Sequence, residues 1–174
     1  MSDRWWMLTL IGKDRPGIVA ALTGALASAG LNLGETSMLR LGGNFTVMMM
    51  VSGAAGEAEL ESLLAPVTDY FGLSLHIDPI EARLHEHLVP NVQVTVSGAD
   101  RAGIVAAVTG ALAQGGFNIL DLESDLAGTP EAPVYILQIS GLSEEPLERL
   151  EARLADLREQ GVSVNVSPIE TYIG

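Results

Sequence analysis

The sequence predicts an α+β protein made of two tandem copies of one small domain. The first observation is a repeat: residues 8–35 recur 86 positions later as residues 94–121, with 16 of the 28 aligned positions identical. The second is the order of hydrophobic patterns around each copy, in which the two-residue period of strands alternates with the near-four-residue period of helices. A repeat of this length is typical of one structural unit encoded twice.

The first half of the first copy is predicted to be a strand followed by a helix. Trp5 to Gly12 has the apolar character of a strand, and the helix extends to about Ala29. One helix face is marked by apolar residues four positions apart, namely Ile18, Leu22 and Leu26. Asp14 is placed to cap the start of this helix, and Gly30 is placed to end it in a left-handed conformation.

The second half of the first copy is predicted to be a hairpin, a helix and a closing strand. The hairpin strands extend from Leu31 to Leu41 and from Phe45 to Ser52, joined at Gly42-Gly43-Asn44. The helix has an apolar face made of Leu60, Leu63, Leu64, Val67 and Phe71. A strand from Leu73 to Ile80 completes the order βαββαβ, which is that of a split βαβ, ferredoxin-like sandwich.

The second copy repeats this order. Its predicted elements are a strand from Asn91 to Ser97, a helix from Arg101 to Gln114, strands from Phe117 to Leu126 and from Val134 to Ser140, a helix from Glu144 to Gln160 and a strand from Val162 to Ile169. Its hairpin loop, Ala127 to Pro133, is longer, and is either a plain loop insertion or a rigid, exposed contact for a partner. Charged residues of its last helix, such as Arg153, are expected on a solvated face.

The repeat divides the chain into two domains and a linker. We expect the first domain at residues 1–82, the linker at 83–90 and the second domain at 91–174. Each domain has about half of the 174 residues and is short of core for its size. We therefore expect the two copies to pack together as an intramolecular pseudo-dimer.

Composition excludes several classes of function. The formal net charge is −13, with 9 Lys and Arg against 22 Asp and Glu, which argues against direct binding of nucleic acid. Because no apolar run approaches the roughly 20 residues that span a bilayer, and the N-terminus lacks the pattern of a signal peptide, we expect no membrane partner and a cytoplasmic location. The absence of cysteine excludes disulfides, thiolate metal sites and thiol catalysis.

Polar residues and glycines are repeated as faithfully as apolar ones, which a core alone does not require. Each copy has Asp-Arg-Pro/Ala-Gly after its first strand and, 18 residues after the Asp, an Asn that opens its second strand. We expect these two chain ends to adjoin, so that N–H groups at the helix start bind a carboxylate while the Asp faces an ammonium. The alternatives stay open: the aspartates cap helices, the asparagines bond local backbone and the glycines allow close packing.

The sequence Asp-Arg-Pro-Gly-Ile-Val after the first strand, with Gly-x-Asn after the first helix, resembles the ACT domain family over residues 4–80 and 90–170. The resemblance implies small regulatory domains that bind an amino acid between paired domains, through the loop after the first strand and the residue opening the second. The implied ligand-binding residues of this chain are Gly12, Asp14, Gly17, Asn32, Gly98, Asp100, Gly103 and Asn118. Neither a catalytic residue nor a metal or cofactor is implied.

For a pair of such domains, the resemblance implies a non-enzymatic regulator that binds a small amino acid, with glycine and serine as candidates, and controls a DNA-binding activator by protein contact. Formation of a homodimer is left open. One alternative is an interaction module with a vestigial ligand site. Another is an acylphosphatase-like hydrolase in which Arg15 binds phosphate and Asn32 orients water. The metal-ligand residue types in His85-Glu86-His87 are better explained by a solvated linker.

Overall fold

The computed structural model of the protein describes residues 4–81, 88–99 and 103–169. The chain divides into two compact units, residues 1–86 (unit 1) and residues 87–174 (unit 2). The predicted linker, residues 83–90, lies mostly outside the described residues, as do His85-Glu86-His87. Its bounds and the packing of the two domains therefore stay predictions.

Both units have the predicted order βαββαβ, with the last helix of unit 2 divided in two. The elements of unit 1 are β1 (Arg4–Lys13), α1 (Ile18–Ser28), β2 (Asn32–Leu41), β3 (Asn44–Gly53), α2 (Glu57–Phe71) and β4 (Ser74–Ile80). The elements of unit 2 are β5 (Val92–Ala99), α3 (Ile104–Gln114), β6 (Asn118–Thr129), β7 (Ala132–Leu142), α4 (Leu147–Arg153), α5 (Ala155–Glu159) and β8 (Ser163–Pro168). The prediction of an α+β protein with two tandem ferredoxin-like domains is confirmed.

Each unit contains one antiparallel sheet of four strands. The strand order is β2-β3-β1-β4 in unit 1 and β6-β7-β5-β8 in unit 2. The strands that precede and follow the first helix of a unit in sequence are therefore not neighbours in the sheet, because the third strand lies between them. The longest helix in the described ranges, α2, has 15 residues, and no helix there is long and apolar enough to cross a membrane.

The core of each unit lies between its helices and one face of its sheet. In unit 1, alternate residues of β1 and the predicted apolar face of α1 are buried together: Trp6, Leu8, Leu10, Ile18, Leu22 and Leu26. Unit 2 uses the equivalent positions: Val92, Val94, Val96, Ile104, Val108 and Leu112. The apolar periods in the sequence thus identified the core correctly.

The first helix of each unit begins one residue after a left-handed glycine. Gly17 has φ 93° and Gly103 has φ 91°, and neither helix start has a side-chain cap. The prediction that Asp14 caps α1 is wrong, because the helix begins at Ile18, four positions further on. A Cβ on Gly17 would meet only the Phe71 ring, at an ordinary 3.8 Å, so the conformation of Gly17, not its packing, requires glycine.

The second hairpin and the last helix differ from prediction. β6 and β7 extend through most of the predicted loop, so that Pro133 pairs with Gly128 and the turn is formed by Pro130 and Glu131. The inserted residues therefore lengthen the ladder and do not form a free loop. The last helix begins at Leu147, not at Glu144, because Pro146 has the extended ψ of 147°.

Candidate functional site

Gly12, near the end of β1, is packed too closely to carry a side chain. A Cβ there would lie 2.6 Å from Leu73 Cδ2 and 3.1 Å from the carbonyl oxygen of Gly72. Gly12 is therefore explained by the packing of β1 against the turn into β4. Its counterpart Gly98 has more room, because the nearest atom to a Cβ there would be the Cα of Val162 at 3.6 Å.

Asp14 is held by the neighbouring β2–β3 hairpin. Its backbone N–H donates to the carbonyl oxygen of Gly43 at 3.1 Å, and its carboxylate lies 2.6 Å from Nε of Arg40. Because the side chain of Arg40 is 66% exposed, this ion pair contributes at most about 1 kcal/mol. The carboxylate that was predicted to face an ammonium is thus paired within unit 1, while Asp100 lies outside the described residues.

Asn32 does not lie near this turn. It opens β2 and pairs with Ser52, which in turn pairs with Trp5 near the start of β1. Lys13, the last residue of β1, is eight positions further along the strand, so at about 3.3 Å per residue Asn32 is about 26 Å from the turn. The prediction that the two chain ends adjoin is wrong within unit 1, because β2 starts at the end of the sheet where β1 also starts.

Unit 2 has the same geometry. Asn118 pairs with Leu142 in β7, at the end of the sheet where Val92 of β5 pairs with Gly141. Gly98 lies at the opposite end of β5, next to the start of β7. Asn32 and the turn of unit 1 therefore belong to opposite ends of the sheet, and so do Asn118 and Gly98 of unit 2.

This separation also argues against the hydrolase alternative. Arg15 belongs to the turn, and its guanidinium lies 5.6 Å from the ring centre of Phe71 and 5.8 Å from that of Tyr70. Asn32 is at the other end of the sheet. Within unit 1, Arg15 cannot bind the same phosphate whose attacking water Asn32 would orient.

Asn118 instead lines a cleft of about 580 Å³ in unit 2, which we call the Asn118 cleft. The end of α3 contributes Gly115 and Gly116, residues 143–146 follow β7, and α4 contributes Arg149. The volume is in the range of small-molecule sites. Among the residues that line the cleft, Asn118, Glu144 and Arg149 are exposed. An amide, a carboxylate and a guanidinium are therefore available to a ligand.

Glu145, in the wall of the Asn118 cleft, is paired with Arg153, which was expected on a solvated face. Arg153 donates two hydrogen bonds to the carboxylate of Glu145, at 2.8 and 2.7 Å. Their side chains are only 32% and 19% exposed. The pair lies directly against Gly115, where a Cβ would be 2.6 Å from Glu145 Oε2. The hydrogen bond from Arg153 holds the pKa of Glu145 below its ordinary value, with smaller contributions from the charges of Arg153 and Arg149.

Unit 1 has a smaller cleft of about 350 Å³ at the equivalent place, and its walls are mostly apolar. The three positions equivalent to Gly115, Glu145 and Arg153 are occupied by Ala29, Ala55 and Leu63. The alanine-to-glycine change between positions 29 and 115 is one sign in the sequence that this corner differs between the copies. The two copies have therefore diverged at this end of the sheet.

Acid should destabilise unit 2 through this pair. Because the pKa of Glu145 is lowered on folding, its contribution is complete above the ordinary value of 4.5 and is lost as the pH falls through the lower, folded-state pKa. We expect Glu145→Gln to be less stable than wild type at neutral pH and to lose less stability on acidification, as measured by urea unfolding across the acid range. The control is Glu144→Gln, which removes an adjacent carboxyl outside the pair. An equal flattening of the pH profile by both variants would contradict the assignment.

Comparison with known proteins identifies the fold family. The family description "ACT domain" matches residues 6–78 and 91–167, one match in each unit. The chain belongs to the ACT domain family. Both ACT domains of the chain include the predicted turn after the first strand and the asparagine that opens the second.

Sequence relatives include a transcriptional repressor and a UPF0237 protein. The chain is 30% identical over 124 residues to the glycine cleavage system transcriptional repressor of Escherichia coli (strain K12), covering 71% of this chain and 65% of the repressor. It is therefore aligned with somewhat less than two thirds of that relative. The chain is also 35% identical over 71 residues to a UPF0237 protein of Streptococcus pneumoniae serotype 4, covering 41% of this chain and 78% of that protein.

Two solved structures resemble the whole chain. A protein of unknown function from Galdieria sulphuraria has a TM-score of 0.76 at 22% identity, covering 97% of this ACT protein and 100% of the other chain. A candidate glycine cleavage system transcriptional repressor has a TM-score of 0.70 at 20% identity, covering 98% and 100%. At these identities the likeness supports the tandem fold alone.

Proposed function

We propose that this regulatory ACT-domain protein, a homologue of the glycine cleavage system transcriptional repressor, is a non-enzymatic cytoplasmic sensor of a small amino acid. Glycine and serine are the candidate ligands, and a DNA-binding activator, held by protein contact, is the partner. The name of the E. coli relative supports the regulatory role. The charge of −13 supports an indirect action on DNA, since such a chain repels phosphate.

The observation that carries the ligand proposal is the chemistry of the Asn118 cleft. Arg149 suits a carboxylate, Glu144 suits an ammonium, and the amide of Asn118 can donate to one and accept from the other. A free amino acid has these two charges on one carbon. Since each guanidinium or carboxylate alone would bind many solutes weakly, the presence of both beside one amide favours a zwitterion.

The turn residues can contact the same ligand as an asparagine only if the turn and the asparagine belong to different domains. Because Gly12, Asp14 and Gly17 lie at the opposite end of the sheet from Asn32, one ligand cannot touch both groups within one ACT domain. A ligand that contacts an asparagine and a turn must therefore draw on two ACT domains. The same reasoning applies to Gly98, Gly103 and Asn118 in unit 2. We accordingly propose that the amino acid is bound between ACT domains.

A thermal-shift panel of the twenty amino acids tests the proposal. A ligand present at 100 times its dissociation constant should add about 2.7 kcal/mol to the free energy of unfolding. We expect glycine or serine to raise the melting temperature, and a flat panel would contradict amino-acid binding.

Variants then locate the site. Asn118→Ala and Arg149→Gln should abolish the shift, because they remove the amide and the guanidinium of the Asn118 cleft. Asn165→Ala changes an exposed asparagine on β8 and is the matched control. The effect of Asn32→Ala reports whether unit 1 contributes a second site. A shift that survives Asn118→Ala and Arg149→Gln would overturn the site assignment, and so would a shift that Asn165→Ala abolishes equally.

A further inference from the structure

The side chain of Asn91 holds the segment between β7 and α4. Its Nδ2 donates to the carbonyl oxygen of Ser143 at 2.9 Å, and its Oδ1 accepts from the backbone N–H of Ser143 at 3.0 Å. One amide, which is both donor and acceptor, thus binds both backbone groups of one residue. We call this pair of hydrogen bonds the Asn91 clamp.

The effect of the clamp extends to the next two residues through the Ser143 side chain. Ser143 is buried, at 9% exposure, and its Oγ accepts from the backbone N–H of Glu145 at 3.1 Å. Glu144 lies between these two fixed backbone positions. Because Glu144 supplies the carboxylate that we assign to a ligand's ammonium, its place in the Asn118 cleft depends on Asn91.

The clamp replaces a part of the strand ladder that proline removes. In unit 1 the ladder of β1 with β3 extends to Arg4 and Gly53. The equivalent positions of unit 2 are Pro90 and Ser143, and proline has no N–H to donate. The Asn91 side chain supplies the hydrogen bonds to Ser143 instead.

Unit 1 holds its equivalent segment in another way. The indole N–H of Trp6, a buried residue, donates to the carbonyl oxygen of Ala55 at 3.1 Å. The residue of unit 2 equivalent to Trp6 is Val92, whose side chain has no donor. The ACT fold therefore does not require the Asn91 clamp. Unit 2 uses for this purpose a side chain that also lines the Asn118 cleft.

The clamped segment connects the other two groups that the ligand proposal uses. Asn118 pairs with Leu142 at the end of β7, and Arg149 lies in α4. A change in the path of residues 143–146 would therefore move Glu144 relative to both. A site whose groups are held in place before the ligand arrives binds more tightly, because the ligand does not have to order them.

We propose that Asn91 is a positioning residue of the amino-acid site: by holding Ser143, it sets the position of the Glu144 carboxylate towards the ammonium of the ligand. This inference rests on the proposed function of the Asn118 cleft. Loss of the clamp should weaken binding about 10-fold, because the ligand must then order the Glu144 side chain and the backbone that carries it.

Amide hydrogen exchange of the full chain without ligand, followed by NMR spectroscopy, tests the clamp itself. In Asn91→Ala, Ser143 and Glu145 should both exchange faster, because both N–H groups depend on the clamp. Ser143→Ala removes only the hydroxyl, so Glu145 should exchange faster while residue 143 stays protected. If Glu145 remains protected in Asn91→Ala, the clamp does not hold the segment and the inference is wrong.

Titration with glycine and with serine tests the positioning role. Asn91→Ala should bind the amino acid that stabilises wild type about 10-fold more weakly, whereas Gln93→Ala should bind it as wild type does. Gln93 is the matched control, because it is an amide two positions along β5 and makes no side-chain hydrogen bond within the described ranges.

A double variant separates positioning from a merely structural role. In a Glu144→Gln background the carboxylate is already lost, so adding Asn91→Ala should weaken binding much less than it does in the wild-type chain. Equal losses in both backgrounds would overturn the inference. Binding that is lost in Asn118→Ala but unchanged in Asn91→Ala contradicts this inference alone. If wild type binds neither amino acid, the proposed function fails and this inference fails with it.

Discussion

Replacing Gly141 with alanine should lower the free energy of unfolding of unit 2 by about 3 kcal/mol. Gly141 lies in β7 beside the start of β6, and a Cβ there would overlap the carbonyl oxygen of Asn118 and the ring of Phe117. Phe117 is buried, with 6% exposure, so its ring has no solvent-filled space into which it can move. The cost arises from displacing both a packed ring and backbone.

Amide hydrogen exchange is the measurement that separates the two units. Protection in β5, β6 and β7 should fall in Gly141→Ala, while protection in β1 and β3 is retained. The equivalent position of unit 1 holds Val51, which is fully buried beside Leu31. Gly141→Ala combined with Phe117→Leu should therefore recover only the part of the lost stability that the ring causes, because the overlap with the carbonyl oxygen of Asn118 remains. Unchanged protection in Gly141→Ala alone would show that this contact does not limit the stability of unit 2.

Gly12→Ala should destabilise unit 1 by about 2 kcal/mol. The Cβ would lie 3.1 Å from the carbonyl oxygen of Gly72, a backbone atom that cannot rotate away, and 2.6 Å from the Leu73 side chain. Urea unfolding monitored through Trp5 and Trp6 fluorescence reports on unit 1, where both tryptophans lie.

Gly98→Ala is the matched control for this substitution. At Gly98 the nearest atoms to a new Cβ are at 3.6 Å or beyond, an ordinary contact distance. Gly98→Ala should therefore change stability by no more than about 0.5 kcal/mol, or stabilise slightly by restricting the unfolded chain. Equal losses in Gly12→Ala and Gly98→Ala would show that packing against Gly72 and Leu73 is not the cause.

The fold was predictable because its determinants are local and repeated. Ile18, Leu22 and Leu26 recur with the helical period and are all buried in the structure. The Gly42-Gly43 pair forms the expected hairpin turn, with φ of 57° and 77°. Each of these features depends on residues that are close together in sequence, so the sequence alone is enough to predict it.

The candidate site depends on strand direction, which residue types and spacing do not display. The helix α1 carries the chain back along the sheet, so β2 starts beside the start of β1 while Asp14 follows the end of β1, and Asn32 and Asp14 end far apart. Capping preferences identified Asp14 as a suitable residue type but could not fix where the helix starts, which Gly17 determines. Glu145 and Arg153 are eight positions apart and resemble surface charges until the β7–α4 segment brings them together.

The paired changes around Gly141 have a consequence for how the gene can vary. A crossover between its two similar halves would combine parts of each copy, and a product that joined the segment around Phe117 to a valine in place of Gly141 would place the ring and the valine in one space. Such a recombinant should be less stable than either parent domain, so the two halves of the chain are no longer interchangeable segment by segment in this region.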